Sequence, residues 1–361
     1  MPKAQFFTFI LLLLLTVSCN KNSGRVELAS DLKPFDKLSQ YGFFTGNLAD
    51  LQPSEGVLPY DLNSPLFSDY AEKARFIWLP NGEKASYVSS GPLQFPIGTV
   101  IIKNFYFHTD GCDPQLGRRI IETRLLIHTE TGWEAWPYIW DDEQKDAIMD
   151  VVGGYKQVSW LDNSGESHEL NYSIPNKNQC KGCHDWNGSM QPIGPQAKHL
   201  NKDFEYEEGT FNQLEYWQKV GYLQNLPTEQ DLIPRMADYT QANNTSGSLN
   251  ERARAYLDIN CGHCHNAQGP AKTSGLSLLY EESNQTAIGI NKPPIAAGRG
   301  SGNLKFSIVP GHSDESILLY RMLSEDPGSM MPELGRKMVH QEGVKLIKDW
   351  IDSMEAPESK Q

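Results

Sequence analysis

Thr99-Val100-Ile101-Ile102-Lys103-Asn104-Phe105-Tyr106-Phe107 is dense in β-branched and aromatic residues and shows no helical spacing, so it reads as a strand. The pattern continues outward from it. Arg119-Ile120-Ile121-Glu122-Thr123-Arg124-Leu125-Leu126-Ile127 and Gly132-Trp133-Glu134-Ala135-Trp136-Pro137-Tyr138 follow, while Pro80-Asn81-Gly82 and Ser90-Gly91-Pro92 punctuate the chain before it. Several strands separated by turn signals over 41–175 predict an antiparallel β-sandwich-like domain. Beyond it the period changes. Asn212-Gln213-Leu214-Glu215-Tyr216-Trp217-Gln218-Lys219-Val220 spaces its apolar residues by three and four. So do 249–260, through Ala253, Tyr256 and Leu257, and 340–354, through Val344, Ile347, Trp350 and Ile351. The expected class is α+β, with the β-rich domain followed by mostly α-helical domains.

Two further stretches carry the chemistry. Cys180-Lys181-Gly182-Cys183-His184 and Cys261-Gly262-His263-Cys264-His265 are both C-x-x-C-H. That spacing suits covalent attachment of a c-type haem: two thiols add to the vinyl groups on one haem edge, and the next histidine ligates the iron. With 6 Cys and 9 His in 361 residues, about 0.002 accidental copies are expected, so two copies exclude coincidence. Zinc knuckles of the C-x-x-C type are usually about 15–20 residues apart. Here Cys183 and Cys261 lie 78 positions apart, and each motif ends in His. A thioredoxin-like pair would need a βαβ setting and no trailing His. Two haems are therefore expected, one on Cys180, Cys183 and His184 and one on Cys261, Cys264 and His265, with His184 and His265 as proximal iron ligands.

The N-terminus points to export. Lys3 precedes an apolar run at 6–17 that is too short to span a bilayer. It ends in Thr16-Val17-Ser18-Cys19, which resembles the lipobox of bacterial lipoproteins, whose Cys becomes the lipidated first residue. Residues 1–18 are thus expected to be a signal peptide, Cys19 a lipid anchor and 19–40 a linker. The expected location is the bacterial cell envelope, on the periplasmic or outer-membrane side, where covalent haem attachment takes place. A net charge of −13 argues against nucleic acid as a partner and favours redox proteins that present a basic face. Cys112 has no partner left and reads as an unremarkable thiol.

Residues 248–355 resemble a class I cytochrome c in their order: helix, C-x-x-C-H, ligand loop, terminal helix. The resemblance implies a crossing of first and last helices through Tyr256 and Trp350, and a distal Met on the loop Ser329-Met330-Met331-Pro332. Met331 is the residue implied, Met330 the alternative, and Met322 and Met338 are read as core. A thioether ligand favours ferrous iron and raises the potential. His263 is expected at the surface and His312 in a turn. The first haem, on the segment 176–240, has no such loop. Met190, His199 and Met236 are its candidate distal ligands, and an open five-coordinate site is the alternative.

The β-rich half ending in C-x-x-C-H also resembles cytochrome P460, through Phe95-Pro96-Ile97-Gly98-Thr99-Val100-Ile101-Ile102-Lys103 and a later tryptophan strand. P460 cross-links a lysine to an open haem; Lys103 is read here as a surface lysine on a strand. As a whole, the chain resembles an exported bacterial dihaem c-type cytochrome family of unassigned role. The likeness runs through Tyr41-Gly42-Phe43-Phe44, Asn63-Ser64-Pro65-Leu66-Phe67-Ser68-Asp69-Tyr70 and Arg252-Ala253-Arg254-Ala255-Tyr256-Leu257. Such proteins are often encoded beside a parallel β-helix repeat protein, which implies a possible partner. The function expected is single-electron transfer by a lipid-anchored dihaem cytochrome. The alternative is a haem enzyme or small-ligand binder whose open first haem is fed by the second.

Overall fold

A computed structural model of the protein describes residues 26–241, 246–295 and 297–355. The leader 1–18 and Cys19 lie outside the described residues. Strands β1 (Val57–Tyr60), β2 (Glu72–Trp78), β3 (Val100–His108), β4 (Arg118–Thr129), β5 (Gly132–Trp140) and β6 (Ala147–Met149) form one antiparallel sheet in that order. Strand alternation gives the sheet two distinct faces. On one, Phe76, Ile102, Ile127 and Trp140 pack against Leu38, Tyr41, Phe43 and Leu51. The polar-looking segment before Tyr41 belongs to this layer, with Val26 and Leu38 buried and the Tyr41 hydroxyl 2.8 Å from that of Tyr138. On the other face, Tyr60, Ile77 and Ile101 enter the same apolar cluster as Trp217, Ala253, Tyr256, Ile347 and Trp350. The sheet and the C-terminal half thus share one core.

Strands β7 (Gly154–Leu161) and β8 (Ser167–Ile174) pair with each other, and a single bridge joins Leu161 to Asp110. Their Val158, Trp160 and Tyr172 pack on Phe105, Phe107 and Ile121. The long strands are therefore arranged as one six-stranded meander with an attached ribbon, beside four smaller two-stranded pairs, where a two-sheet sandwich was expected.

The expectation of mostly α-helical, cytochrome c-like domains after the β-rich half is also corrected. The chain is β-rich, with 27% strand and 24% helix, and its helices are short: α1 (Lys177–His184), α2 (Gln213–Lys219), α3 (Leu249–Leu257), α4 (Ile317–Leu323) and α5 (Gln341–Asp352). The physical cause is local. Between α3 and α4, single helical turns are ended within four residues by Gly275, Gly289 and Gly302, all in the left-handed region at φ 63°, 115° and 59°. A residue without Cβ takes that conformation at no steric cost and stops propagation.

Helix α5 keeps its expected apolar face, burying Val344, Leu346, Ile347, Trp350 and Ile351. Together these side chains contribute on the order of 10 kcal/mol of burial. It packs on α3, and Gly343 makes the approach possible: a Cβ there would lie 2.5 Å from Cε2 and Cζ of Tyr256. Trp350 instead donates its indole N–H to Asn250 Oδ1 at 2.9 Å.

Candidate functional site

Each C-x-x-C-H motif is delivered by a helix with a reciprocal N-cap. In α1, Asn176 Oδ1 accepts from Gln179 N at 2.8 Å, and Asn176 N donates to Gln179 Oε1 at 2.9 Å. In α3, Ser248 and Glu251 make the equivalent exchange. These are N-x-x-Q and S-x-x-E capping boxes, and both satisfy otherwise orphaned first-turn donors. Helix α1 ends on His184. Helix α3 runs into a widened turn, Asp258–Gly262, that carries Cys261, an irregularity frequent at functional positions. A buried network braces it. Asp258 Oδ1 accepts from Lys198 Nζ and Tyr280 N, both at 2.8 Å, and Asp258 Oδ2 lies 3.2 Å from His199 Nε2.

The two motifs meet in space. Cys264 Sγ lies 3.9 Å from Gly182 O, and Asn187 N donates to Gln268 O at 2.8 Å. Cys183 faces Cys264 and His263 across this junction, and their side-chain hydrogen bonds act on it. These hold the Cys183 thiol below the usual thiol range, Cys264 contributing most, with His263 adding to it and burial opposing. The same contact pushes Cys264 up. Burial raises Cys180, and raises Cys261 to about 12. A thiol leaning toward thiolate is the nucleophilic form. His263 is half-buried at this junction with Nδ1 3.2 Å from Ile259 O, and is not the exposed residue the sequence suggested.

Both motif histidines present one fixed tautomer. His184 Nδ1 lies 2.7 Å from the Gln191 carbonyl, which can only accept, so Nδ1 carries the proton and Nε2 the free electron pair. For His265 the argument runs through Ser274. Its single hydroxyl proton goes to Ala271 O at 2.7 Å, so its oxygen must accept from His265 Nδ1, 3.1 Å away. Burial lowers both imidazoles to about 4, which keeps them neutral, as an iron ligand must be.

A cavity lies between α1 and the sheet. Cys180, Cys183, His184 and His263 line one side, and Arg75, Lys103 and Arg124 another. Pro332, Leu334 and Arg336 complete it, so the loop expected to serve the second motif also closes over the first; Leu334 Cδ1 lies 3.1 Å from where a Cβ of Gly182 would stand. Within that loop Arg336 spends its guanidinium on the carbonyls of Met331, Met338, Arg321, Met322 and Ser324 at 2.9–3.2 Å. Met331 N donates to Arg321 O at 2.9 Å, and Met330 is buried beside it.

The three distal candidates for the first motif all stand outside this cavity lining. Met190 pairs with Asp185 in a two-residue ribbon. His199, fully buried, gives Nε2 to Asp258. Met236 is buried, with its N–H on Lys198 O. Lys103, read as a surface lysine, instead sits on the cavity wall. The signal was present in the alternation Ile101-Lys103-Phe105, which puts it on the face that carries the buried Ile101.

The residues fit a covalently held c-type haem at each motif. The five described cysteines are unpaired, two thiols and one neutral imidazole stand together at each site, and each imidazole offers Nε2. They do not fit a zinc cluster. Among the described residues, three or more metal-ligating atoms come within 4.8 Å of one another only at Asp162, Glu166 and His168, on the β7–β8 turn. No helix among the described residues is long and apolar enough to cross a membrane. No family model, no curated protein and no solved structure matches the chain.

Proposed function

We propose that the protein is an exported, lipid-anchored dihaem c-type cytochrome that carries single electrons between two closely placed centres and outside redox proteins. The observation that carries this reading is the meeting of the two C-x-x-C-H motifs, 78 positions apart in sequence, through Cys264 and Gly182. Cys180, Cys183 and His184 would hold one haem, and Cys261, Cys264 and His265 the other. When bound, each haem supplies a one-electron ferric/ferrous couple.

The chain's own part is positional. Gln191 O and Ser274 Oγ fix each imidazole in the Nδ1–H tautomer. The loop 324–338, clamped by Arg336, offers Met331 or Met330 as a thioether. Ile101, Leu126 and Ile259 supply apolar wall beside the first motif. With a net charge of −13, partner proteins with basic faces would be steered to it. Lys103 on the cavity wall favours a second reading, a first centre open to a small ligand.

Absorption spectra of the reduced protein with and without carbon monoxide separate the two. An unchanged spectrum supports closed electron-transfer centres, and a shifted one supports an open first centre. Cys19→Ala should release the protein from the membrane fraction; unchanged fractionation would remove the lipid anchor from the proposal.

A further inference from the structure

The sheet face that looks onto the first motif is unusual in its charge. Arg75, Lys103 and Arg124 are direct cross-strand neighbours on β2, β3 and β4, and all three line the cavity with Arg336. Like charges placed directly opposite one another on a sheet are destabilising, so such a row needs compensation. It receives only part of it. Arg124 is held by the fully buried Glu122, through Nε at 2.8 Å and Nη2 at 2.5 Å. Arg75 Nη1 reaches Asp61 Oδ1 at 2.7 Å, but the second oxygen of Asp61 is taken by Lys202 at 3.1 Å.

One donor group is left without a partner, and a second faces the cavity beside it. Arg75 is 5% exposed, and its Nη2 has no hydrogen-bond partner. Lys103 has only the ring of Phe105, 4.7 Å away, against its Nζ. Among the described residues no Asp or Glu lines the cavity, in a chain that carries 45 acidic residues against 32 basic ones. Leaving a buried guanidinium nitrogen without an acceptor is unfavourable, so the row favours an anionic oxygen beside it.

We propose that the Arg75–Lys103–Arg124 row is an oxyanion site that takes a carboxylate or a comparable small oxyanion beside His184. Arg75 Nη2 and Lys103 Nζ are the donors, and Arg124 supplies field while remaining bound to Glu122. The anion has two possible sources: a carboxylate of the haem held by the first motif, or a free small oxyanion admitted to the cavity. The haem source rests on the function proposed above; the free source does not.

The test uses the purified holoprotein, Lys103→Met and Arg75→Gln, with nitrite as the free probe and the midpoint potentials of the two centres as the second readout. If the haem carboxylate is the occupant, Lys103→Met lowers one midpoint potential, and nitrite produces no saturable spectral change in either protein. If a free oxyanion is the occupant, nitrite titrates the wild type to saturation and binds roughly tenfold more weakly to Lys103→Met. Arg75→Gln should act in the same direction and stands in if Lys103→Met does not fold. Unchanged potentials together with no nitrite response in the wild type would overturn the site. A chain that carries no haem would overturn the dihaem reading alone. The row would then be tested by thermal unfolding in phosphate, with a rise in Tm expected for the wild type and lost in Lys103→Met, and equal shifts in both counting against it.

Discussion

His340 shows how much of this molecule is decided by single buried polar groups. Its ring stacks on Phe67 with centroids 4.1 Å apart, and its Nδ1 lies 3.2 Å from the Tyr256 hydroxyl. Burial lowers it to about 4, with Glu342 opposing and Lys73 adding; the free side chain titrates near 6.5. Between those values the unfolded chain binds a proton that the folded chain does not. Stability from this residue is therefore complete above about pH 6.5 and lost as the pH falls toward 4. The loss amounts to about 3 kcal/mol across the window. His340→Gln should flatten that part of the profile when urea midpoints are compared at pH 7 and pH 4.5; parallel profiles would remove His340 as its source. Ser274→Ala should cost about 1 kcal/mol in urea unfolding, because His265 Nδ1 loses its acceptor. A larger loss in Ser274→Val than in Ser274→Thr would tie the effect to the hydroxyl.

At the scale of elements, the crossing of α3 and α5 depends on Gly343. Gly343→Ala drives a methyl group into the ring of Tyr256 and should destabilise the protein by about 2 kcal/mol. Gly343→Ala combined with Tyr256→Leu should recover part of that loss, and a purely additive pair would exclude the contact. The loop before α5 depends on Arg336. Arg336→Lys keeps the charge but cannot reach five carbonyls with one ammonium, and about 2–3 kcal/mol should be lost. Met331→Ala should remove the near-infrared band of a His/Met ferric centre and lower one midpoint potential. A band that survives there and vanishes in Met330→Ala moves the ligand by one residue.

What the sequence revealed at this scale follows a physical rule. The strand at 99–107 and the apolar face of α5 are local patterns and were read without coordinates; the capping boxes before both motifs are equally local but were missed. Whether β1–β6 close into a sandwich depends on pairings between distant segments. The mostly helical C-terminal half failed as an expectation because the helices read at 212–220, 249–260 and 340–354 are joined by turns, and Gly275, Gly289 and Gly302 end single helical turns between them. Lys103 was misplaced for a related reason: its face is local information, but what covers that face comes from α1, more than 70 residues later.

On the scale of the whole molecule, the sheet and the C-terminal half are bound into one body. Phe67 N donates to Asn260 Oδ1 at 2.8 Å, and Asp69 Oδ1 accepts from Lys337 N and Met338 N at 2.7 and 2.8 Å. Residues 246–355 expressed alone should therefore show no cooperative unfolding transition. A sharp transition would mean that they form an independent domain. The meeting of the two motifs, at Cys264 against Gly182, arises only in this shared body, which is why spacing in the sequence could identify two sites without relating them. The claim beneath all of this is covalent: two haems on one chain. The most direct measurement is the mass of the denatured protein after expression in cells competent for c-type haem attachment, extracted with acidified organic solvent. We predict the mass of the chain plus two haems, reduced to one stably held haem when both cysteines of either motif are replaced by Ala. A chain that keeps no haem after extraction, or keeps both with one motif removed, would contradict it.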